Sequence, residues 1–230
     1  FWGRTQSPCV RKNIVGNATY RCDSRLNSGY GRFDDNTYLK GVHVGVNDKR
    51  TDGWDYVLSG LDLDGGKENF TLEVGPAGRV VNCRFRDMGV GIANAYACTF
   101  ERCKDSSGHL PFPGGRWYEV TVKDCSFSRF RNTNVWERCR FVNSNLNGFN
   151  GGNLLARNCD FTGCTIFGLR AATLMMADCA FDSSALKGNW YELPSDLVFR
   201  NCLIKTKDDE PFLSLGGYTV GKIGFDGCTV

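Results

Sequence analysis

The sequence predicts an all-β solenoid of short parallel strands over residues 57–230. Three observations carry this: a four-residue motif built around cysteine, its recurrence about every 20 residues, and apolar residues at alternate positions on either side of it.

The motif is an Asn/Asp-like residue, then Cys, then any residue, then Phe or a substitute. It appears as Asn82-Cys83-Arg84-Phe85, Ala97-Cys98-Thr99-Phe100, Asp124-Cys125-Ser126-Phe127 and Arg138-Cys139-Arg140-Phe141. It continues as Asn158-Cys159-Asp160-Phe161, Asp178-Cys179-Ala180-Phe181, Asn201-Cys202-Leu203-Ile204 and Gly227-Cys228-Thr229-Val230. Successive cysteines are 15, 27, 14, 20, 20, 23 and 26 residues apart, the signature of coils that share a core and differ in their loops.

Aligned on the cysteines, the position three before reads Val80, Ala95, Val122, Trp136, Ala156, Met176, Phe199 and Phe225. The position five before reads Gly78, Ala93, Val120, Asn134, Leu154, Leu174, Leu197 and Ile223. Each coil therefore has one inward pair, a break, and a second inward pair at Cys and Phe, which is the period of two short strands. The residue before Cys is Asn, Asp or Gly in six of the eight units, which favours a tight left-handed bend there. Val90, Leu146, Ile166 and Leu186, five residues past the Phe, supply a third strand. Weaker units precede the array at Leu61-Asp62-Leu63 and Val42-His43-Val44.

These coils resemble the right-handed parallel β-helices of the pectate-lyase-like superfamily, which includes polysaccharide lyases, glycoside hydrolases, phage tailspikes and surface adhesins. The resemblance implies a single β-helix of about nine or ten coils over 57–230, stacked at about 4.8 Å per coil. Residues 1–56, rich in Gly, Asn, Arg and Asp, are expected to form an irregular N-terminal cap over the first coil's strand edges.

Composition narrows the functional classes. A net charge of +3, from 28 Lys+Arg against 25 Asp+Glu, is too mild to suggest a nucleic-acid partner. No apolar run reaches 18 residues, so no membrane-spanning helix is expected. The chain starts at Phe1, so a leader is expected to have been removed or the numbering to begin mid-protein. The eight-Cys column places thiols about 4.8 Å apart, too far for relaxed disulfide geometry. A buried ladder of thiols is expected, with only Cys9 and Cys22 as a plausible bridge. Cys98-x4-Cys103 and Cys159-x4-Cys164 have the look of zinc half-sites, but Cys103 and Cys164 align with Met88 and Phe130 in a packing column. No metal or cofactor is expected. Asn17-Ala18-Thr19 and Asn69-Phe70-Thr71 match the glycosylation acceptor pattern, which has meaning only in a eukaryotic secreted protein.

For catalysis, the superfamily resemblance sets expectations that this chain departs from. Its glycosidases carry Gly-His-Gly and Arg-Ile-Lys elements, whereas here Ser107-Gly108-His109 precedes Leu110 and Leu203-Ile204-Lys205 lacks the Arg. The two histidines, His43 and His109, lie in no nucleophile motif. The expected function is a non-enzymatic extracellular, cell-surface or virion-surface structural and attachment module. The alternative is a polysaccharide lyase or glycoside hydrolase that draws on Asp208, Asp209, Glu119 or Glu192. Two Trp-Tyr-Glu triplets, Trp117-Tyr118-Glu119 and Trp190-Tyr191-Glu192, suit glycan contact in the units with the longer spacing, against a reading in which the indoles cover the core. Finally, the position four before Cys should face outward, yet Val135, Leu155, Met175 and Val198 are consecutive there and apolar. Stacked, they form a stripe, flanked by Ala180 and Leu203, that predicts a homo-oligomer or larger assembly.

Overall fold

The computed structural model describes residues 9–11, 14–15, 19–23, 32–34, 37–38, 43–47, 56–64, 71–105, 114–128, 130, 132–149, 152–168, 173–188, 196–207, 209–215 and 221–230, those before Ser59 through their backbone. Its contacts divide the chain into two units, Phe1–Leu110 and Pro111–Val230. All the described secondary structure is strand, and the pairing is parallel.

In Pro111–Val230 about six turns stack on one another. The coil made of Thr133–Glu137, Arg140–Val142 and Asn145–Asn147 lies against Asn153–Arg157, Asp160–Thr162 and Thr165–Phe167, each strand paired with its counterpart one coil on. The same registers carry on through Thr173–Ala177, Ala180–Asp182 and Ala185–Gly188 to Asp196–Arg200 and Leu203–Lys205. Lys222–Asp226 adds a further strand to the first face of the stack.

Period-two alternation fixes which side chains enter. Along Asn153–Arg157, Leu154 and Ala156 are buried while Asn153, Leu155 and Arg157 are exposed. Like residues then meet coil upon coil. Phe141, Phe161 and Phe181 stack at centroid spacings of 4.9 Å with interplanar angles of 3° and 6°. Leu154, Leu174 and Leu197 form a second internal column, and Leu146, Ile166 and Leu186 the predicted third.

Four of these coils turn two tight corners, one more than the single bend expected. The first corner holds Glu119, Arg138, Asn158, Asp178, Asn201 and Gly227, all with φ between 50° and 62°. The second, five residues on, holds Asp124, Asn143, Gly163 and Ser183, with φ between 47° and 60°. Asn and Asp tolerate this left-handed geometry, and their side chains bridge coils: Asn143 Nδ2 donates to Asp124 Oδ1, and Asn201 Nδ2 to Asp178 Oδ1, both at 3.3 Å. At Gly163 a Cβ would stand 2.6 Å from Asn143 Oδ1, so glycine relieves both the dihedral and the contact.

The second corner corrects the sequence alignment at Cys125. Asn145 N–H donates to the Cys125 carbonyl, and Phe127 pairs with Leu146, so Cys125 opens a third strand. Val120 takes the place in line with Cys139, since Thr121–Lys123 pairs with Arg140–Val142. Trp117, not Val122, therefore stands in line with Trp136. The second-corner column runs Cys125, Ser144, Cys164, Ser184. Ser144 and Ser184 fit the buried corner because each Oγ accepts the N–H of the preceding coil's cysteine, at 3.1 and 3.0 Å. Phe130 leaves that column and stacks on Phe149 at 4.6 Å.

Phe1–Leu110 follows the same rules. Asp62–Asp64, Arg84–Arg86 and Thr99–Glu101 pair in sequence, which stacks Leu63, Phe85 and Phe100 inside. First corners fall at Gly60, Asn82 and Ala97, and second corners at Asp87 and Arg102. The segment expected as a cap contributes parallel strands: Cys9–Arg11 pairs with Arg32–Asp34, and Thr19–Asp23 with His43–Asn47. The side chains of Cys9 and Cys22, and hence their pairing, lie outside the described residues.

Candidate functional site

The ten cysteines from Cys83 to Cys228 are unbridged thiols, as the 4.8 Å coil spacing predicts. Nine are buried and line the corners. The thiols of Cys139, Cys159 and Cys202 each donate to a carbonyl two residues back and to one on the preceding coil, at 3.3–3.6 Å. The hydrogen bond with Cys139, reinforced by burial, pushes the Cys159 thiol up to about 12. The bond with Cys159 does the same to Cys179, and burial alone takes Cys164 to about 11. The Cys139–Cys159 contact lowers Cys139 as it raises Cys159, and Cys98 is lowered by its bond with Cys83. Burial along the corners suits all these thiols to packing. Among the described residues no group of three His, Cys, Asp or Glu side chains is arranged to hold a metal ion, and no helix is long and apolar enough to cross a membrane.

The Trp-Tyr-Glu triplet divides at the wall of the coil. Trp117 is 2% exposed, stacked on Trp136 at 5.7 Å and edge-on to Phe127 at 6.0 Å, so its ring faces are inside. This corrects the expectation that Trp117 offers a sugar platform: the misplaced Cys125 unit had made an inward core position look like a loop. Tyr118 and Glu119 do reach the surface. Arg138 Nη1 donates to Tyr118 Oη at 2.7 Å and to Glu119 Oε1 at 3.4 Å, and its guanidinium lies 5.6 Å from the Tyr118 ring centroid. Trp190, Tyr191 and Glu192 lie outside the described residues.

The two described candidate carboxylates, Glu119 and Asp209, stand far apart. Glu119 occupies the first corner of one coil, while Asp209 follows Leu203–Lys205, four coils further on. Four steps of the stack separate those coils by roughly 19 Å, against the ~5–10 Å of a glycosidase pair. Asp208 and Glu192 lie outside the described residues. Among the described residues of Phe1–Leu110, Asp87 is clamped by a bidentate pair, its two oxygens taking Nε and Nη2 of Arg102 at 2.8 Å each. That guanidinium holds the Asp87 carboxyl below its usual range, as a structural corner clamp does.

What Pro111–Val230 does gather is a flat face. The outward row runs Arg116, Val135, Leu155, Met175, Val198 and Gly224, each in register with the next. Leu155 is 37% and Met175 40% exposed, and Val135 and Val198 are half-buried. Polar rows flank this ridge. On one side stand Thr133, Asn153, Thr173, Asp196 and Lys222; on the other stand Tyr118, Glu137, Arg157, Ala177, Arg200 and Asp226. An apolar centre between polar borders is the anatomy of a protein contact surface. Ala180 and Leu203 belong instead to the neighbouring face, where with Arg140, Asp160, Thr162, Asp182 and Lys205 they line an open groove. They do not widen the ridge, because a corner intervenes. The sequence located the ridge itself, while its polar borders became legible only once the register was known.

A family model described as a right-handed β-helix region matches residues 72–230. Among solved structures, the chain is similar to full-length QnrB1, a plasmid-mediated fluoroquinolone resistance protein, at 11% identity and a TM-score of 0.23, covering 96% of this chain and 92% of that one. A trypsin-treated variant of QnrB1 is similar at 14% identity and a TM-score of 0.24, covering 96% and 90%. No curated protein matches the chain.

Proposed function

The chain belongs to the right-handed β-helix family, and from that premise we propose that it is a non-enzymatic structural and attachment module of a cell or virion exterior, assembled with further copies of itself. The observation that carries this reading is the ridge of Val135, Leu155, Met175 and Val198, aligned over four coils and bordered by polar rows. A packed stack with an apolar-centred flat face is suited to holding a macromolecular surface, whereas polymer cleavage asks for a cleft with converging carboxylates. Tyr118 and Glu119 beside Arg138 offer a small polar and aromatic patch for glycan contact at one corner.

The test is direct. The protein is incubated with a panel of acidic and neutral polysaccharides and assayed for new reducing ends and for unsaturated uronate absorbance. No cleavage, with or without calcium, is expected. Turnover of any polymer that disappears on Glu119→Gln or Asp209→Asn would replace this reading with the lyase or hydrolase alternative.

A further inference from the structure

The two borders of the ridge carry an order of charges that fits a second copy in one register. Resting on the module reading, we propose that the face pairs with itself about a twofold axis that runs along the strand direction, between the Leu155 and Met175 rows. Such an axis keeps the strand direction and reverses the order of the coils, so the first coil of one copy meets the sixth of the other. Residue pairs follow from the registers alone. Leu155 meets the partner copy's Met175 position, Val135 meets Val198, and Arg116 meets Gly224. The two most exposed apolar side chains of the row are thus set against each other at the centre, and the largest side chain of the row faces the one position without a side chain.

The border rows agree. Glu137 faces Arg200, Tyr118 faces Asp226, and Arg157 faces Ala177, so opposite charges or neutral partners meet at every level. On the other border Thr133 faces Asp196 and Asn153 faces Thr173, both able to hydrogen bond. A slip of one coil destroys this. In one direction Arg157 meets Arg200 and Glu137 meets Asp226; in the other Arg157 meets its own copy. The remaining twofold, along the stacking direction, sets Arg116 against Arg116. Like-charge juxtaposition across a contact is strongly unfavourable, so the charge order disfavours both slipped registers. The twofold along the stack, however, pairs Arg200 with Asp196 and Asp226 with Lys222. It leaves Glu137 opposite Thr133, so the Glu137 and Arg200 swap below separates the two orientations. The contact is isologous and closes at two copies.

The experiment is a charge swap read by sedimentation equilibrium of the full chain. Glu137→Arg alone sets Arg against Arg200, and Arg200→Glu alone sets Glu against Glu137, twice per dimer. Each is expected to raise the dissociation constant at least tenfold, equivalent to about 1.4 kcal/mol. The double variant Glu137→Arg/Arg200→Glu should return to within about threefold of the wild type, because it restores opposite charges. Gly224→Trp supplies a variant that spares the fold: a Cβ there meets no atom within 4 Å. It should keep the monomer's melting temperature while weakening association at least tenfold. A double swap no better than the singles, an assembly indifferent to Gly224→Trp, or a wild type that stays monomeric would each overturn the pairing. Failure of the swap leaves the module reading in place, whereas polymer cleavage strikes that reading and not the pairing.

Discussion

Replacing Phe161 by Ala should remove a large share of the stability of the middle coils. Phe161 is 1% exposed and lies between Phe141 and Phe181, parallel to each at 4.9 Å. Trp136 approaches it at 6.5 Å. Truncating a buried phenylalanine costs about 3–5 kcal/mol in lost transfer energy and cavity formation. Two stacked ring pairs vanish with it, each worth about 0.5–1.5 kcal/mol beyond area burial. The expected loss is therefore about 4–8 kcal/mol, a large part of the ~5–15 kcal/mol that holds an ordinary domain. Because a solenoid's stability is a sum of unit and neighbour terms, the cavity weakens two coil interfaces at once. Phe161→Leu keeps most of the volume and should cost under about 2 kcal/mol. Urea unfolding followed by far-UV circular dichroism and tryptophan fluorescence reads both. If Phe161→Ala lost less than about 1.5 kcal/mol at unchanged denaturant slope, the ring would not be an internal member of a continuous column.

Two further outcomes follow from the corners and the thiols. Gly163→Ala should destabilise by about 1–3 kcal/mol through its left-handed φ and the close approach of its Cβ to Asn143 Oδ1. Gly163→Asn should recover only the part that comes from φ, since Asn tolerates that conformation but brings the same Cβ; equal urea midpoints for the two variants would count against the corner argument. Of the ten described thiols, half-buried Cys228 should label fastest in native protein while the nine buried ones stay protected until denaturation. Unfolded thiols ionise from their ordinary value of 9.0, but Cys164, Cys159 and Cys179 hold their protons to about 11–12, so above pH 9 these three keep protons that the unfolded chain has lost, offset in part by the lowered Cys98 and Cys139. Stability present below pH 9 should then fall by about 1.4 kcal/mol per pH unit for each such thiol between pH 9 and 11; a urea midpoint level across that range would refute the buried, raised thiols.

The stack was readable because its physics repeats in the sequence. Alternation at Leu154/Ala156 and Leu174/Met176, with Phe141, Phe161 and Phe181 at steps of 20, can be satisfied only by strands that lie one above another. Cys125 defeated the same logic because both corners ask for the same chemistry. Each wants a residue that tolerates a left-handed φ, then a small inward group, so Asp124-Cys125-Ser126-Phe127 matches the first-corner motif while occupying the second. The paired intervals of 27 and 14 residues held the clue, and so did the 19 residues from Trp117 to Trp136. The apolar ridge was legible because four outward positions break polarity in succession. Its charge borders were not, since Glu137 and Arg200 are 63 positions apart and become members of one row only through the register.

The most direct measurement of the central claim is sedimentation velocity of the wild type and of Leu155→Glu/Met175→Glu over a hundredfold range of concentration. Both side chains point away from the core, so the variant should keep its β-sheet circular dichroism with little loss of stability. The account predicts a wild type that shifts from monomer to dimer as concentration rises, and a variant that remains monomeric throughout. A wild type that sediments as a monomer at the highest concentration, or a variant that associates as well as the wild type, would contradict it.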